Sequence, residues 1–200
     1  MNILQRSDDW QTARIGKITA SRIKDLSAKP KTGKVLNATL TELLAERLTN
    51  QKAECFVNRA MQWGIDNEPN AIASYENITG AFVVGCGLID HPTIPMSGAS
   101  PDGLVGDDGL IEIKCPETTT HANTLLTGQV PSEYLPQMMW QMACTGRAWC
   151  DFVSYDPRMP ENLQIKIIRV MRDDEVIGEL EQQVINANQI LENAKKELGA

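Results

Sequence analysis

Hydrophobic residues recur at helical spacing along most of the first 80 residues. Between Leu36 and Leu48, for example, leucines line one face of a helix. The helical stretches are interrupted by glycines, prolines and polar capping residues. The pattern predicts four helices. The first three run from Ser7 to about Ile15 with an end at Gly16, from Thr19 or Ser21 through Leu26, and from Leu36 to Leu48. The fourth begins near Val57, continues past Trp63, breaks or restarts at Pro69 before Tyr75, and ends at Gly80.

After residue 80, shorter apolar runs separated by proline and glycine are typical of strands. The connection Gly106-Asp-Asp-Gly109 indicates a hairpin turn. The predicted elements are strands over Phe82 to Ile89, Leu104-Val105, Leu110 to Lys114, Cys150 to Tyr155 and Leu163 to Val170, helices at about 118–127 and 132–145, and a C-terminal amphipathic helix over about 173–200. Helices interleaved with strands predict a single domain, residues 1–200, of the α/β (α+β) class.

Composition argues against several classes of protein. Hydrophobic residues make up 42% of the 200, and no apolar run approaches the roughly 18 residues that span a membrane. The N-terminus has no apolar stretch of signal-peptide length. The five cysteines contain no CxxC pair, so a disulfide framework or zinc ribbon is not expected. These features predict a cytoplasmic protein with reduced thiols and no membrane association.

The charge is unevenly distributed along the chain. A net charge of -7 argues, taken alone, against a nucleic-acid partner. Residues 1–60, however, hold eleven Lys and Arg against six Asp and Glu, whereas residues 61–200 hold eight against twenty. From Arg14 to Lys34 there are seven basic residues and one acid. Local clusters determine affinity for phosphates, so this stretch is either a solvated helix face with a loop or a phosphate-binding surface.

The strongest candidate chemistry lies in Ser100-Pro-Asp-Gly103 and Ile111-Glu-Ile-Lys114. Alternation along a strand places Glu112 and Lys114 on one face, and a neighbouring strand that starts at Asp102 would bring two carboxylates together. Such a pair suits Mg²⁺, which prefers oxygen ligands and acidifies a bound water. The alternative from these spacings alone is an ordinary Pro-Asp-Gly turn and a solvent-facing strand.

Pro101-Asp102 followed by Glu112-Ile113-Lys114 resembles the signature of the PD-(D/E)XK nucleases. Further motifs occur in the order found in phage lambda exonuclease and the related YqaJ-type viral recombinases. They are Trp10 to Ser21, Trp63-Gly64 with Glu68, Ser100 to Gly103, Glu112 to Pro116, Tyr134 with Gln137, and Tyr155 to Met159. The resemblance spans about residues 10–160 and implies a central mixed sheet flanked by helices.

The resemblance also implies a catalytic role for several residues. Asp102, Glu112 and the backbone carbonyl of Ile113 would bind Mg²⁺, for which Mn²⁺ could substitute. Lys114 would be the catalytic lysine. Glu68 would help to hold the metal-bound waters, and Gln137 matches an active-site glutamine of the family.

Two further groups of residues would contact DNA. Arg14 matches the arginine that binds the terminal 5′-phosphate, with Ser21 and Ser100 as hydroxyl donors. Lys31 and Lys34 lie in a basic loop that would reach the duplex. Met61 lies near the apolar wedge that parts the strands, although it could equally fill the core.

The resemblance implies a Mg²⁺-dependent 5′→3′ exonuclease that acts on 5′-phosphorylated double-stranded DNA ends. It would release mononucleotides and leave 3′ single-stranded overhangs for recombination. The family forms homotrimeric rings and works with a single-strand annealing protein. Two alternatives remain at this stage, a PD-(D/E)XK endonuclease and a non-catalytic DNA-end-binding module. The second would be expected to have lost Asp102, Glu112 or Lys114, and all three are present.

Overall fold

The computed structural model of the chain describes residues 5–53 and 58–200. The start predicted near Val57 and the thiol of Cys55 lie outside these residues. The α-helices are Asp8–Ala13 (α1), Ala38–Thr49 (α2), Arg59–Thr79 (α3), Thr118–Thr127 (α4), Leu135–Thr145 (α5) and Asp174–Glu197 (α6). The strands are Ile18–Thr19 (β1), Val83–Val84 (β2), Ile89–Asp90 (β3), Ser97–Ala99 (β4), Gly103–Val105 (β5), Gly109–Lys114 (β6), Trp149–Tyr155 (β7) and Ile165–Met171 (β8). Short 3-10 helices occupy Ala20–Asp25, Ser132–Tyr134 and Glu161–Leu163.

A five-stranded sheet forms the centre, in the order β2-β5-β6-β7-β8. Strands β6 and β7 are parallel and are connected through α4 and α5, whereas the other neighbours are antiparallel. A second sheet has the order β1-β4-β3 and pairs β1 with β4 in parallel. The predicted α/β (α+β) class, with a mixed sheet flanked by helices, is confirmed.

Both faces of strand β6 are covered. Leu110 packs into a cluster with the 3-10 helix Ala20–Asp25, α2, α5 and α6. Ile111 and Ile113 face the opposite cluster, with Ala71 and Tyr75 of α3. Alternation therefore places Glu112 beneath α5, where it is 1% exposed. The site is accordingly built around a buried carboxylate rather than on a solvent-facing strand.

Pro69 does not break the third helix, contrary to the prediction. Helix α3 runs continuously from Asn58, whose side chain caps it, to Gly80, whose φ of +70° ends it. A proline removes one helical hydrogen bond. Buried contacts of Ala71 and Tyr75 with the sheet hold the helix on the far side of Pro69.

The prediction of one strand over Phe82 to Ile89 was also wrong. Val84 pairs with Leu104 in the central sheet, whereas Ile89 pairs with Ala99 in the second sheet. Strands need partners, and the local apolar pattern does not show that the partners lie in different sheets.

The helix predicted from Thr19 or Ser21 is the 3-10 helix Ala20–Asp25, and Thr19 makes no side-chain cap bond to it. Thr19 instead belongs to β1 and pairs with Gly98. Among the residues that the structure describes, no helix is long and apolar enough to span a membrane.

Candidate active site

The hairpin of β5 and β6 brings the two predicted carboxylates together. Gly103 pairs with Ile111, so Asp102 lies beside Glu112. Oδ2 of Asp102 accepts a 2.7 Å hydrogen bond from the backbone N–H of Ile113. A side chain at position 103 would place its Cβ 2.2 Å from Cγ1 of Val83, which explains a glycine after Asp102.

Three side chains hold the carboxylate of Glu112. Oε1 accepts a 2.6 Å hydrogen bond from Nε2 of Gln137 and forms an ion pair with Lys114. Oε2 accepts a 2.5 Å hydrogen bond from Nε2 of Gln141. Gln137 and Gln141 are one turn apart on α5, so this helix fixes both oxygens of Glu112.

The charges at this site depend on one another. Burial and the nearby charge of Glu112 raise the pKa of Asp102 well above its ordinary value, and Lys114 only partly offsets this. Burial alone would lower the pKa of Lys114, but the charges of Glu112 and Asp102 outweigh it and raise that pKa. Lys114 is therefore an ammonium at neutral pH, facing the carboxyl groups of Asp102 and Glu112.

This donor set fits a magnesium ion. Within residues 5–53 and 58–200, no group of three or more His, Cys, Asp or Glu side chains is placed to hold a metal ion. Mg²⁺ needs only one or two carboxylates, because it keeps several of its waters. A divalent cation would relieve the repulsion that raises the pKa of Asp102. Ile113, whose backbone carbonyl is the third predicted ligand, borders the same cleft.

A cleft of about 500 Å³ lies over this group. Asp102, Glu112 and Lys114 border it, together with Glu68 from α3. Glu68 forms an ion pair with Arg6 at the edge of the cleft. The structure thus brings together all five residues predicted as catalytic, which are Asp102, Glu112, Lys114, Glu68 and Gln137.

A second cavity, of about 180 Å³, adjoins the first, because Arg6, Asp102 and Gln137 border both. The parallel pairing of β1 with β4 brings Arg14 and Ser21 to the same place as Ser100. All three predicted phosphate-binding residues line this cavity.

Hydrogen bonds orient the guanidinium of Arg14. Oγ of Ser100 accepts from Nη1 of Arg14 at 3.2 Å and from Nε1 of Trp10 at 2.9 Å. Nη2 of Arg14 donates to Oγ1 of Thr19 at 3.3 Å, and the guanidinium lies 4.3 Å from the centroid of the Trp10 ring. Oγ of Ser21 lies 3.4 Å from Oγ1 of Thr19.

Arg14 remains positively charged without a carboxylate partner. In the described part of the chain it forms no ion pair, whereas the neighbouring Arg22 pairs with Glu46 at 2.7 Å. Burial, followed by repulsion from Arg22, lowers the pKa of Arg14 to about 10, and Glu46 opposes the shift. An anion entering this cavity would therefore meet a half-buried, oriented positive charge.

The predicted duplex contacts are less closely connected to the site. Met61 is 44% exposed at the start of α3 and borders the catalytic cleft. Lys31 and Lys34 are exposed in the loop before α2, and neither borders the two cavities. Their roles in binding DNA stay predictions.

Sequence reasoning missed three residues of the site. They are Gln141, Arg6 and Thr19. The spacing of Gln137 and Gln141 could have revealed the first, because residues four apart share a helix face. No local pattern points to Arg6 or Thr19, since each reaches its partner through tertiary packing.

The thiols of the described residues do not contribute reactive groups to this site. The four cysteines within the described residues are free, and Cys115 alone borders the cleft. Burial and the charge of Glu68 raise the pKa of Cys115 to about 12. A thiol with so high a pKa is a poor nucleophile at neutral pH.

The chain is similar to a family of viral recombinases and to solved structures of exonucleases. A family model, the YqaJ-like viral recombinase domain, matches residues 9–148. The structure of an alkaline exonuclease, LHK-Exo, from Laribacter hongkongensis is 48% identical, covers 96% of both chains and superposes with a TM-score of 0.89. LHK-Exo in complex with dAMP is 47% identical, with a TM-score of 0.87 over 96% of this chain and 98% of the other.

A phage-related exonuclease from Haemophilus somnus 129PT shares the fold at 17% identity, with a TM-score of 0.70 over 91% of this chain and 96% of the other. No curated protein matches the chain. The family match covers well over half of the chain, and the resemblance noted in its motifs is confirmed. The chain belongs to the YqaJ-like viral recombinase family.

Proposed function

We propose that this protein digests double-stranded DNA from 5′-phosphorylated ends, in the 5′→3′ direction and with Mg²⁺. The observation that carries this proposal is the junction of two cavities. One holds Asp102, Glu112 and Lys114, the other holds Arg14, and Asp102 and Gln137 border both. A terminal phosphate at Arg14 would therefore lie next to the carboxylate pair.

The broader activity, digestion of DNA as an exonuclease, follows from the comparisons with known proteins. The chain is a DNA exonuclease by its membership of the recombinase family and its 48% identity to an alkaline exonuclease. The metal, the polarity and the products are the parts that we propose. The complex of LHK-Exo with dAMP supports mononucleotides as products.

Asp102, Glu112 and the carbonyl of Ile113 would hold the metal. When bound, Mg²⁺ supplies an acidified water and charge neutralisation at the phosphodiester, and Mn²⁺ can replace it. Gln137 and Gln141 keep the carboxylate of Glu112 in one orientation. Glu68, which also borders the cleft, would help to hold the metal-bound waters.

Lys114 acts on the reacting atoms as an ammonium. It orients the attacking water and offsets the negative charge that develops on the phosphate. The new bond joins the water oxygen to phosphorus, and the bond from phosphorus to the 3′ oxygen of the terminal nucleotide breaks. The attacking water gives up one proton, and the departing 3′ oxygen takes one up to become a hydroxyl group. A 5′-mononucleotide leaves, and the shortened strand again ends in a 5′-phosphate that Arg14 can bind.

Polarity follows from Arg14, because its cavity adjoins the carboxylates, so a terminal 5′-phosphate bound there places the first phosphodiester next to them. Ser21 and Ser100 assist in binding the terminal phosphate. Met61, at the mouth of the cleft, is the proposed wedge that separates the strands, and Lys31 and Lys34 contact the duplex ahead of it. The undigested strand becomes a 3′ overhang for recombination.

The family resemblance supports a homotrimeric ring around DNA and a single-strand annealing partner. The length and composition of the chain support one exonuclease domain over residues 1–200 and a cytoplasmic location. Light scattering at several protein concentrations tests the ring, and a mass of three chains is expected. A mass of one chain at every concentration would contradict it.

The function is tested by digestion of linear and closed circular duplexes in Mg²⁺, Mn²⁺ or EDTA. Digestion of the linear duplex alone, with either metal and not in EDTA, is expected. Lys114→Ala and Asp102→Asn should abolish it, whereas Asp107→Asn in the hairpin turn should not. Digestion that survives in EDTA or in the Lys114→Ala variant would overturn the proposal. Cutting of the closed circle would instead identify an endonuclease.

A further inference from the structure

Arg6 lies between the two cavities of the site. Its side chain borders both the cavity of Arg14 and the cleft of Glu112 and Lys114. Nη2 of Arg6 forms an ion pair with Oε2 of Glu68 across the edge of the cleft. None of the motifs noted in the sequence includes this arginine.

The backbone around Arg6 is held in place. Nε2 of Gln5 donates hydrogen bonds to the carbonyl oxygens of Ser100 and Pro101, at 3.3 and 3.4 Å. Ser7 then caps α1 by accepting from the N–H of Trp10. Arg6 itself has a φ of +70°, a conformation that residues other than glycine rarely adopt and that is enriched at functional sites.

The guanidinium of Arg6 has capacity for a second ligand. Its side chain is 44% exposed and contacts one oxygen of Glu68. A guanidinium carries five N–H donors, arranged to bind two oxygens of a phosphate at once. Within residues 5–53 and 58–200, the donors of Arg6 that Glu68 does not use are therefore available at the boundary of the two cavities.

The order of phosphates along a DNA strand suggests the ligand. If Arg14 binds the terminal 5′-phosphate, the next phosphate of the same strand is the scissile one. Arg6 borders both cavities, so it lies along the path from one phosphate to the other. We propose that Arg6 is a further catalytic residue, which contacts the scissile phosphodiester and offsets its charge during hydrolysis. This inference rests on the proposed function.

Glu68 acts as the partner of Arg6 when DNA is absent. The ion pair holds the guanidinium at the edge of the cleft, and a phosphate oxygen then takes the place of, or shares the donors with, Oε2 of Glu68. In the alternative, Arg6 never contacts DNA and only positions Glu68. The two roles predict different effects of Arg6→Gln on DNA binding once Glu68 has been replaced. A direct contact with phosphate keeps its effect, whereas a role that acts through Glu68 loses it.

The first test compares Arg6→Gln with Arg14→Gln on duplexes that end in a 5′-phosphate or a 5′-hydroxyl. Arg6→Gln should lower the rate on both substrates by the same factor, about tenfold to a hundredfold. Arg14→Gln should lower the rate on the phosphorylated substrate alone. Lys196→Gln, an exposed change of equal charge in the last turn of α6, should alter neither rate.

The second test measures DNA binding without turnover, in the Lys114→Ala background with Mg²⁺. The slope of log K against log salt should fall by about one when Arg6→Gln is added. The same decrease should appear when Glu68→Gln is also present, because the contact is with phosphate. Thermal unfolding of each variant provides the control for folding.

Several results would overturn the inference. A wild-type rate for Arg6→Gln would exclude contact with the scissile phosphate while leaving the proposed function intact. Loss of the preference for phosphorylated ends would place Arg6 at the terminal phosphate instead. If Arg6→Gln left the slope of log K against log salt unchanged in the Glu68→Gln background, Arg6 would be only a positioning residue for Glu68. A wild-type protein that digests no DNA with Mg²⁺ would overturn both the inference and the proposed function.

Discussion

The side-chain amide of Gln141 donates a 2.5 Å hydrogen bond to Oε2 of Glu112. The two residues are 0% and 1% exposed, so neither can obtain this hydrogen bond from solvent. A carboxylate buried in this way is stable only when its oxygens are paired. Helix α5 therefore determines where the central carboxylate of the proposed metal site points.

Gln141→Leu should weaken Mg²⁺ binding, because Oε2 of Glu112 loses its donor. Partners that orient metal ligands contribute about tenfold to a hundredfold in affinity, and an unpaired buried acceptor costs about 1–3 kcal/mol of stability. Isothermal titration with Mg²⁺ and thermal unfolding measure the two effects. Gln182→Leu, on the exposed face of α6, is the control. Unchanged Mg²⁺ affinity in Gln141→Leu would show that Glu112 does not need this donor.

Mg²⁺ should stabilise the folded wild-type protein, by about 2.7 kcal/mol at a hundredfold excess over Kd. Asp102→Asn should lose this stabilisation. In metal-free buffer at neutral pH the same variant should unfold at a higher temperature than the wild type. Burial and the charge of Glu112 raise the pKa of Asp102 above its value in the unfolded chain, so Asp102 destabilises the folded state increasingly as the pH rises above the unfolded pKa, and to the full extent above the folded pKa.

Differential scanning calorimetry with Mg²⁺ and with EDTA measures both effects, with Asp107→Asn as the control. A Mg²⁺-induced shift of equal size in Asp102→Asn and wild type would show that the ion binds elsewhere.

Arg14→Gln should remove the preference for phosphorylated ends, because the hydroxyl groups of Ser100 and Thr19 cannot replace its charge. Hydrogen bonds to charged groups contribute about 1.5–3 kcal/mol, which corresponds to a loss of about tenfold to a hundredfold on the phosphorylated substrate. Initial rates on duplexes with 5′-phosphate and 5′-hydroxyl ends measure the ratio. A ratio that stays at the wild-type value would place the terminal phosphate elsewhere.

Asp156→Asn should destabilise the protein by about 2 kcal/mol at neutral pH. Burial alone would raise the pKa of Asp156, but hydrogen bonds from Arg158 and Thr118 outweigh it and lower that pKa to about 2. Arg158 also donates to the carbonyl of Pro116, in the loop that follows the catalytic strand. The change therefore loosens the support of that loop.

A lowered pKa means that Asp156 stabilises the fold above about pH 4, and that this contribution disappears as the pH falls to about 2. The stability difference between wild type and Asp156→Asn should shrink over that interval in urea unfolding. Asp174→Asn, which breaks an exposed ion pair with Arg172, should cost little at any pH. A difference for Asp156→Asn that stays constant down to pH 2 would contradict the lowered pKa.

The catalytic hairpin could be predicted from the sequence because its information is local. Alternation of Ile111, Glu112 and Ile113 determines which side chains share a face, and the turn Gly106 to Gly109 determines the register. Those two features alone bring Asp102 next to Glu112. The assignment of roles, however, required the resemblance to a family.

The parts that could not be predicted depend on contacts distant in sequence. Arg6 reaches Glu68, 62 positions away, and Trp10 reaches Ser100, 90 positions away. Pro69 is tolerated because the sheet packs against the turn of α3 that follows it. The sequence of α3 alone does not indicate that packing. The division of Phe82 to Ile89 between two sheets likewise depends on partner strands elsewhere in the chain.

Digestion of a linear duplex with a 5′-phosphate on both strands tests the proposed reaction most directly. One strand carries a label at its 5′ end, and in a parallel sample at its 3′ end. With Mg²⁺, the 5′ label should appear first and as a mononucleotide, while the 3′ label stays in long strands. Early release of the 3′ label, or release of the 5′ label in oligonucleotides, would contradict a 5′→3′ exonuclease built on Asp102, Glu112 and Lys114.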